Sequence, residues 1–290
     1  MKQRSTALLR IGRLAAALAA MLFLATGPSG AQAYVLTGPH ILELTAEAMG
    51  PIASLAVDEK LLIYPPLQES PATVLDETAL YVMPLRFRSD IAADQVRRTH
   101  LVFGNQAVTV VDGRLTYGED LFDRYQRILR SRTRSQLMHT LNRLGIETAL
   151  SSLGRVDSRV VYVVGAHYPD ETVSQLAVDK ETFLPLRLLL VDGDPTAGGM
   201  RLGIFYNAWR KVQKGYFPHQ VTFFANGRLV REIRVTSLQS NPAIDPQRLD
   251  IEALVASIRQ QADGDASQAQ KHEAVEAVQQ AVQNFQKKFE

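Results

Sequence analysis

Cysteine is absent from this 290-residue chain. Its absence excludes disulfides, thiolate metal sites and a cysteine nucleophile, and it also excludes the lipid-modified cysteine that anchors a bacterial lipoprotein. Enzyme signatures are missing as well: there is no Gly-x-Ser-x-Gly elbow, no His-Glu-x-x-His pair and no phosphate- or dinucleotide-binding glycine loop. The six histidines, His40, His100, His139, His167, His219 and His272, follow no ligand spacing. Asp192 and Asp194 sit in a Gly-Pro turn, where a solvated turn explains them better than a cation site. These absences predict a protein with no catalytic residue, no metal and no cofactor. Beyond residue 33, no stretch is long and apolar enough to span a bilayer.

What is present begins with an export pattern. Lys2, Arg4, Arg10 and Arg13 form a basic start, Leu14 to Ala25 an apolar run, and Ala31-Gln32-Ala33 a small-residue cleavage site. The run is shorter than the roughly 20 residues of a spanning helix, and Gly27, Pro28 and Gly30 follow it. Cleavage after Ala33 and delivery to the periplasm are therefore expected. The segment contains four of the 32 basic residues and no acidic one, so the remainder carries 28 against 30, a net of −2. The slight basicity of the precursor is no sign of a nucleic-acid partner.

Residues 38–49 place Ile41, Leu44, Ala48 and Met49 on one side at helical spacing, with Pro39 in the first turn and Gly50-Pro51 as the stop. Extended segments are predicted at Ser54–Val57, Leu61–Tyr64 and Thr78–Arg88, the last with Pro84 at an edge or bulge. Gly104-Asn105 and Asp112-Gly113 then mark two tight reversals in an antiparallel meander. From Glu119 to Leu144 helix formers dominate. There Leu121, Tyr125, Ile128 and Leu129 face away from Leu137, Leu141 and Leu144, which predicts a break within residues 131–135.

Strand patterning returns after Gly145 and lasts to Ser237, with hairpin-length links that imply an antiparallel sheet. Val160–Val164 and Leu186–Val191 are apolar on both faces, so something must cover them, and the two helical segments are the available lids. A short helical stretch spans Pro246 to Arg259. Residues 260–270 read as a polar linker, and Val275, Val278, Val282, Phe285 and Phe289 form a two-heptad apolar stripe on a final helix.

The turn Val178-Asp179-Lys180-Glu181-Thr182-Phe183-Leu184-Pro185-Leu186-Arg187 resembles the strand–Asp-x-x-Thr-x-x-Pro-x-Arg–strand turn of the periplasmic lipoprotein carriers, the LolA-like outer-membrane lipoprotein-sorting family. Tyr206, Gly215-Tyr216-Phe217-Pro218, Asn226-Gly227 and the run ending in Ile244-Asp245 support it, over roughly residues 38–250. The resemblance implies an α+β fold, an incomplete antiparallel β-barrel closed by helices, here with an added C-terminal helix. The implied organisation is a signal peptide at 1–33, a half-barrel domain at 34–259 with its helical insert at 119–144, and a linker and helix at 260–290.

The implied function is that of a non-catalytic, monomeric carrier whose apolar hollow holds acyl chains of lipids or lipid-modified proteins. Inner- and outer-membrane lipoprotein-trafficking components would be its partners. The expected walls are Tyr81, Met83, Leu85, Leu101, Phe103, Tyr162, Leu188, Leu190, Phe205 and Phe223, with Ile41 and Leu44 on the lid; plain core packing is the competing reading for each. Arg127, Arg130 and Arg134 fall on one helical face, where lipid phosphates or an acidic partner are the functional reading and a solvated face the structural one. With the C-terminal helix, that face defines the alternative, an envelope-sensing or protein-interaction module.

Overall fold

The computed structural model describes residues 35–65, 72–94, 96–193 and 199–261. The expected signal segment and the final apolar-striped helix lie outside them. Among the described residues the chain forms thirteen strands: β1 (Ser54–Ile63), β2 (Thr73–Val82), β3 (Arg86–Ala93), β4 (Val96–Phe103), β5 (Gln106–Val111), β6 (Arg114–Tyr117), β7 (Ser151–Val156), β8 (Arg159–Val164), β9 (Gln175–Asp179), β10 (Pro185–Asp192), β11 (Met200–Val212), β12 (Gly215–Ala225) and β13 (Arg228–Ser240). All belong to one sheet, in the order β6-β5-β4-β3-β2-β1-β13-β12-β11-β10-β9-β8-β7, and every neighbouring pair is antiparallel. The pairing of β1 with β13 is the one contact in that order between strands distant in sequence; every other neighbour is consecutive. The sheet curls without closing, an incomplete barrel whose free edges are β6 and β7.

Helices fill the gap that closure would have sealed. In chain order they are α1 (Gly38–Met49), a 3₁₀ turn (Leu121–Arg124) running into α2 (Tyr125–Arg130), and α3 (Arg134–Arg143). The last three connect the two free edges. The break between α2 and α3 falls at Ser131-Arg132-Thr133, as the two opposed apolar sets require: Tyr125, Ile128 and Leu129 are buried on one helix, Leu137 and Leu141 on the other. Thr133 caps α3 by accepting from the Gln136 N–H at 3.2 Å, and the Ser131 hydroxyl donates to the Arg127 carbonyl at 2.9 Å. Helix α1 ends at Gly50, whose φ of 66° suits glycine. A Cβ there would stand 2.4 Å from the Lys214 carbonyl oxygen, so only glycine lets the helix end meet the β11–β12 hairpin so closely.

Two strand expectations change. Ser54–Val57 and Leu61–Tyr64 merge into the single strand β1. Thr78–Arg88 is not one strand: Met83, Pro84 and Leu85 form the β2–β3 turn, so the apparent alternation of Tyr81, Met83, Leu85 and Phe87 crosses a chain reversal. Proline, with no N–H for a ladder, is suited to that reversal. The convex side of the sheet is covered too. Leu80, Leu101 and Val108 pack there beneath Leu249 of a 3₁₀ turn (Pro246–Leu249), with Ile251, Leu254 and Val255 of helix α4 (251–261) alongside.

Candidate functional site

The inward-facing residues of β7–β12 meet α1 and α3 in continuous packing: Ile41, Leu42 and Met49 lie with Leu137, Leu141, Ile146, Val164, Leu176 and Leu188 in one core. On the other side of the concave face, between β1–β6 and β13, the strands enclose a cavity of about 820 Å³. Leu61 and Ile63 of β1, Leu75 of β2, Ile91 of β3, Val96 of β4, Val111 of β5 and Val230 of β13 make its apolar wall, and Tyr117 to Asp120 with Phe122 bound it beside α2. Ile63, Val111 and Tyr117 are exposed at its mouth. The volume lies within the roughly 300–1,000 Å³ of small-molecule pockets.

The deep end of the cavity is polar. Strand alternation that gives Val96 and Val102 inward positions on β4 gives the same face Arg98 and His100. Arg98 donates from Nη2 to Asp123 Oδ2 and from Nη1 to Ser89 Oγ at 3.3 Å. Arg231 lies between carboxylates, 3.6 Å from Asp123 and 3.8 Å from Glu77, with its guanidinium 5.1 Å from the centre of the Phe223 ring. Burial disfavours the Arg231 charge, but Glu77 and Asp123 outweigh it and hold its pKa above the ordinary value. His100 is fully buried beside Thr109, with 2.8 Å between its Nδ1 and the hydroxyl. Burial, only partly offset by Asp123, brings its pKa down to about 4.

Behind these groups Glu59 and Glu77 are direct partners across β1–β2, both buried. Like charges so placed repel. Burial first, and the neighbouring Glu77 charge second, push the Glu59 carboxyl well above the ordinary carboxylate range. Helix α2 lies over this region through aromatic contacts: Tyr125 meets Phe223 at 5.6 Å and Phe87 at 6.3 Å, and the Tyr206 hydroxyl donates to the Tyr125 carbonyl at 2.9 Å.

None of the twelve expected cavity residues lines this cavity. Ile41, Leu188 and Leu190 are buried in the packed half, and Tyr162 stacks on Phe183 there at 5.8 Å. Leu44 is half-buried on α1. Tyr81 is wedged between Phe87 and Phe217 at 4.8 and 5.3 Å, and Phe223 lies under Tyr125. Met83 packs at the rim of the core in the β2–β3 turn. Leu85 is 50% exposed in the β2–β3 turn, and Phe103, 40% exposed, ends β4 on the face opposite the inward Val102, where Arg86 covers its ring at 4.8 Å. Leu101 and Phe205 belong to the opposite face of the sheet, Leu101 under α4 and Phe205 against Phe224 and Arg187.

The expected arginine face does not form either. Arg130 is buried, donating to Gln126 at 2.5 Å and to the Pro84 carbonyl at 3.0 Å, and Arg127 pairs with Glu119 at 2.5 Å. Arg134 alone of the three is exposed, 3.7 Å from Glu43. The break between α2 and α3 separates residues that one continuous helix would have aligned. The Asp-x-x-Thr turn is structural: Asp179 Oδ1 accepts from the Thr182 N–H and hydroxyl, both at 2.8 Å, closing the β9–β10 connection. The signal for the real cavity was the interruption of inward apolar positions by Arg98, His100 and Arg231, which a solid core would not tolerate.

A single curled antiparallel sheet, left open and bridged by helices over a partly hollow concave face, defines a LolA-like fold. Comparison with solved structures gives the same result. A LolA superfamily protein from Nitrosomonas europaea superposes with a TM-score of 0.50 at 13% identity, covering 73% of this chain and 97% of its own. A putative outer membrane lipoprotein-sorting protein domain from Vibrio parahaemolyticus does so with a TM-score of 0.50 at 10% identity, covering 75% and 97%. No protein-family model and no curated protein sequence matches the chain. At these identities the likeness is one of fold.

Proposed function

We propose that the chain is exported to the periplasm with cleavage after Ala33, and that it carries acyl chains of lipids or lipid-modified proteins there without catalysing a reaction. The observation that carries this reading is the 820 Å³ hollow with its apolar wall, set in a fold shared with a lipoprotein-sorting domain. Each methylene moved from water into such a wall contributes about 0.8 kcal/mol, so a long chain is held without any covalent step. Components that load and unload lipoproteins at the two membranes are the partners this reading calls for, and the half-barrel at 34–259 is its working part. The interaction-module alternative loses the arginine face as a docking surface, since Arg127 and Arg130 are engaged internally, and rests on the C-terminal helix, which lies outside the described residues.

The test is extraction of the purified full chain with organic solvent, followed by mass spectrometry, together with titration of a fluorescent fatty-acyl probe. Recovered acyl lipid and saturable probe binding are expected. An extract free of lipid together with a silent probe sinks the proposal.

A further inference from the structure

We propose that the Arg98–Asp123–Arg231 group makes the cavity selective for uncharged acyl esters over free fatty acids, with Arg231 donating to the ester carbonyl. This rests on the acyl-binding reading above and adds the chemistry of the head group. Two guanidiniums in an oily hollow suggest an anion site, but the charges are already matched. Asp123 lies between Arg98 and Arg231, and Glu77 stands on the other side of Arg231. Glu59, facing Glu77 across the strand pair, can only add negative charge. Near the mouth, Glu119 is matched by Arg127, and the Asp120 side chain accepts from the Phe122 N–H. An arriving carboxylate would therefore meet no uncompensated cation and would be repelled by Asp123 and Glu77.

What the site has to spare is hydrogen-bond donors. The Arg231 side chain is 13% exposed and lines the cavity; its Nε is buried without a partner, so donation to a ligand falls to the outer end of the guanidinium. Its two carboxylates stand off at 3.6 and 3.8 Å, beyond ordinary N–H···O length. A buried guanidinium so loosely engaged is matched by an acceptor that brings no charge, and an ester carbonyl is such a group.

The experiment is calorimetric titration of the full chain with monooleoylglycerol and with oleate, at about pH 8.5, where a carboxylate is ionised. Monooleoylglycerol is expected to bind at least about tenfold more tightly. Asp123→Asn leaves one cation uncompensated and should move the ratio about tenfold or more toward oleate. Oleate binding as tightly as the ester in the native protein, or an unchanged ratio in a folded Asp123→Asn variant, overturns the selectivity while leaving acyl binding intact. Binding of neither ligand removes the acyl-binding reading itself. Should Asp123→Asn not fold, Glu77→Gln changes the charge at the other neighbour of Arg231, and the native ratio decides by itself.

Discussion

The two halves of the concave face are built from the same alternating strands, yet one is solid and the other hollow. Under α1 and α3, inward side chains of β8–β12 find apolar partners on the helices at every level, and the space is filled by Leu, Val and Ile. Between β1–β6 and β13, α2 packs Tyr125 on Phe87 and Phe223, but among the described residues no helix fills the space facing Leu75, Val96 and Val111. The wall residues there face open volume, and the deep end is lined by ions that hold one another. Strand pattern alone therefore does not make a cavity; the placement of the helices decides which inward face stays empty.

The sharpest way to break this comparison is truncation on both sides. Leu188→Ala, in the packed half, should cost about 2–5 kcal/mol in urea unfolding, because it leaves a void among fixed neighbours. Leu75→Ala, at the cavity wall, should cost less than about 1 kcal/mol, since one side of that residue already faces open space. Equal losses would mean that the two halves are packed alike.

Acid should act on the hollow half next. His100 is held at about pKa 4, so between pH 6.5 and 4 the unfolded chain binds a proton that the native protein refuses. Native stability should fall by about 2–3 kcal/mol across that window, and His100→Gln should flatten the fall. Glu59 works in the opposite sense. Its raised pKa means that the native state holds a proton which the unfolded chain releases, so its contribution is lost as pH rises above about 4.5, and Glu59→Gln should remove that slope. Unfolding curves at stepped pH check both.

Filling the hollow sharpens the comparison from the functional side. Val96→Phe should weaken acyl-probe binding by about tenfold while changing stability by less than about 1 kcal/mol. The smallest effect belongs to Arg134→Ala, which removes an exposed 3.7 Å contact to Glu43 and should cost under about 0.5 kcal/mol, with probe binding unchanged.

Much of the architecture was legible because it is local. Gly104-Asn105, Asp112-Gly113 and Asn226-Gly227 each mark a hairpin, β8 begins and ends where its apolar run does, and the opposed faces of residues 121–144 locate the break at Ser131–Thr133. The cavity wall was not legible, because each strand offers two faces and the sequence does not say which is covered by what. Leu101 and Phe205 illustrate this: both are apolar residues in good strands, and both point to the convex side. The arginines show a companion effect: the break at Ser131–Thr133 puts Arg134 on α3, apart from Arg127 and Arg130 of α2, and those two turn inward to Glu119, Gln126 and the Pro84 carbonyl. The inward ions were visible all along at Arg98, His100 and Arg231, but their pairing joins segments that are far apart in the chain.

The seam between β1 and β13 has a consequence for how the molecule is born. It lies in the middle of the sheet and ties residues about as far apart as Asp58 and Ser237, whose side chains meet at 2.6 Å. A nascent chain that has not yet delivered β13 thus owns two arms with raw inner edges rather than a smaller sheet. Assembly must wait for nearly the whole polypeptide, which makes folding slow and leaves a sticky intermediate needing protection. On the export proposed above, such a late-locking keystone would also keep the chain from setting before it has crossed the membrane.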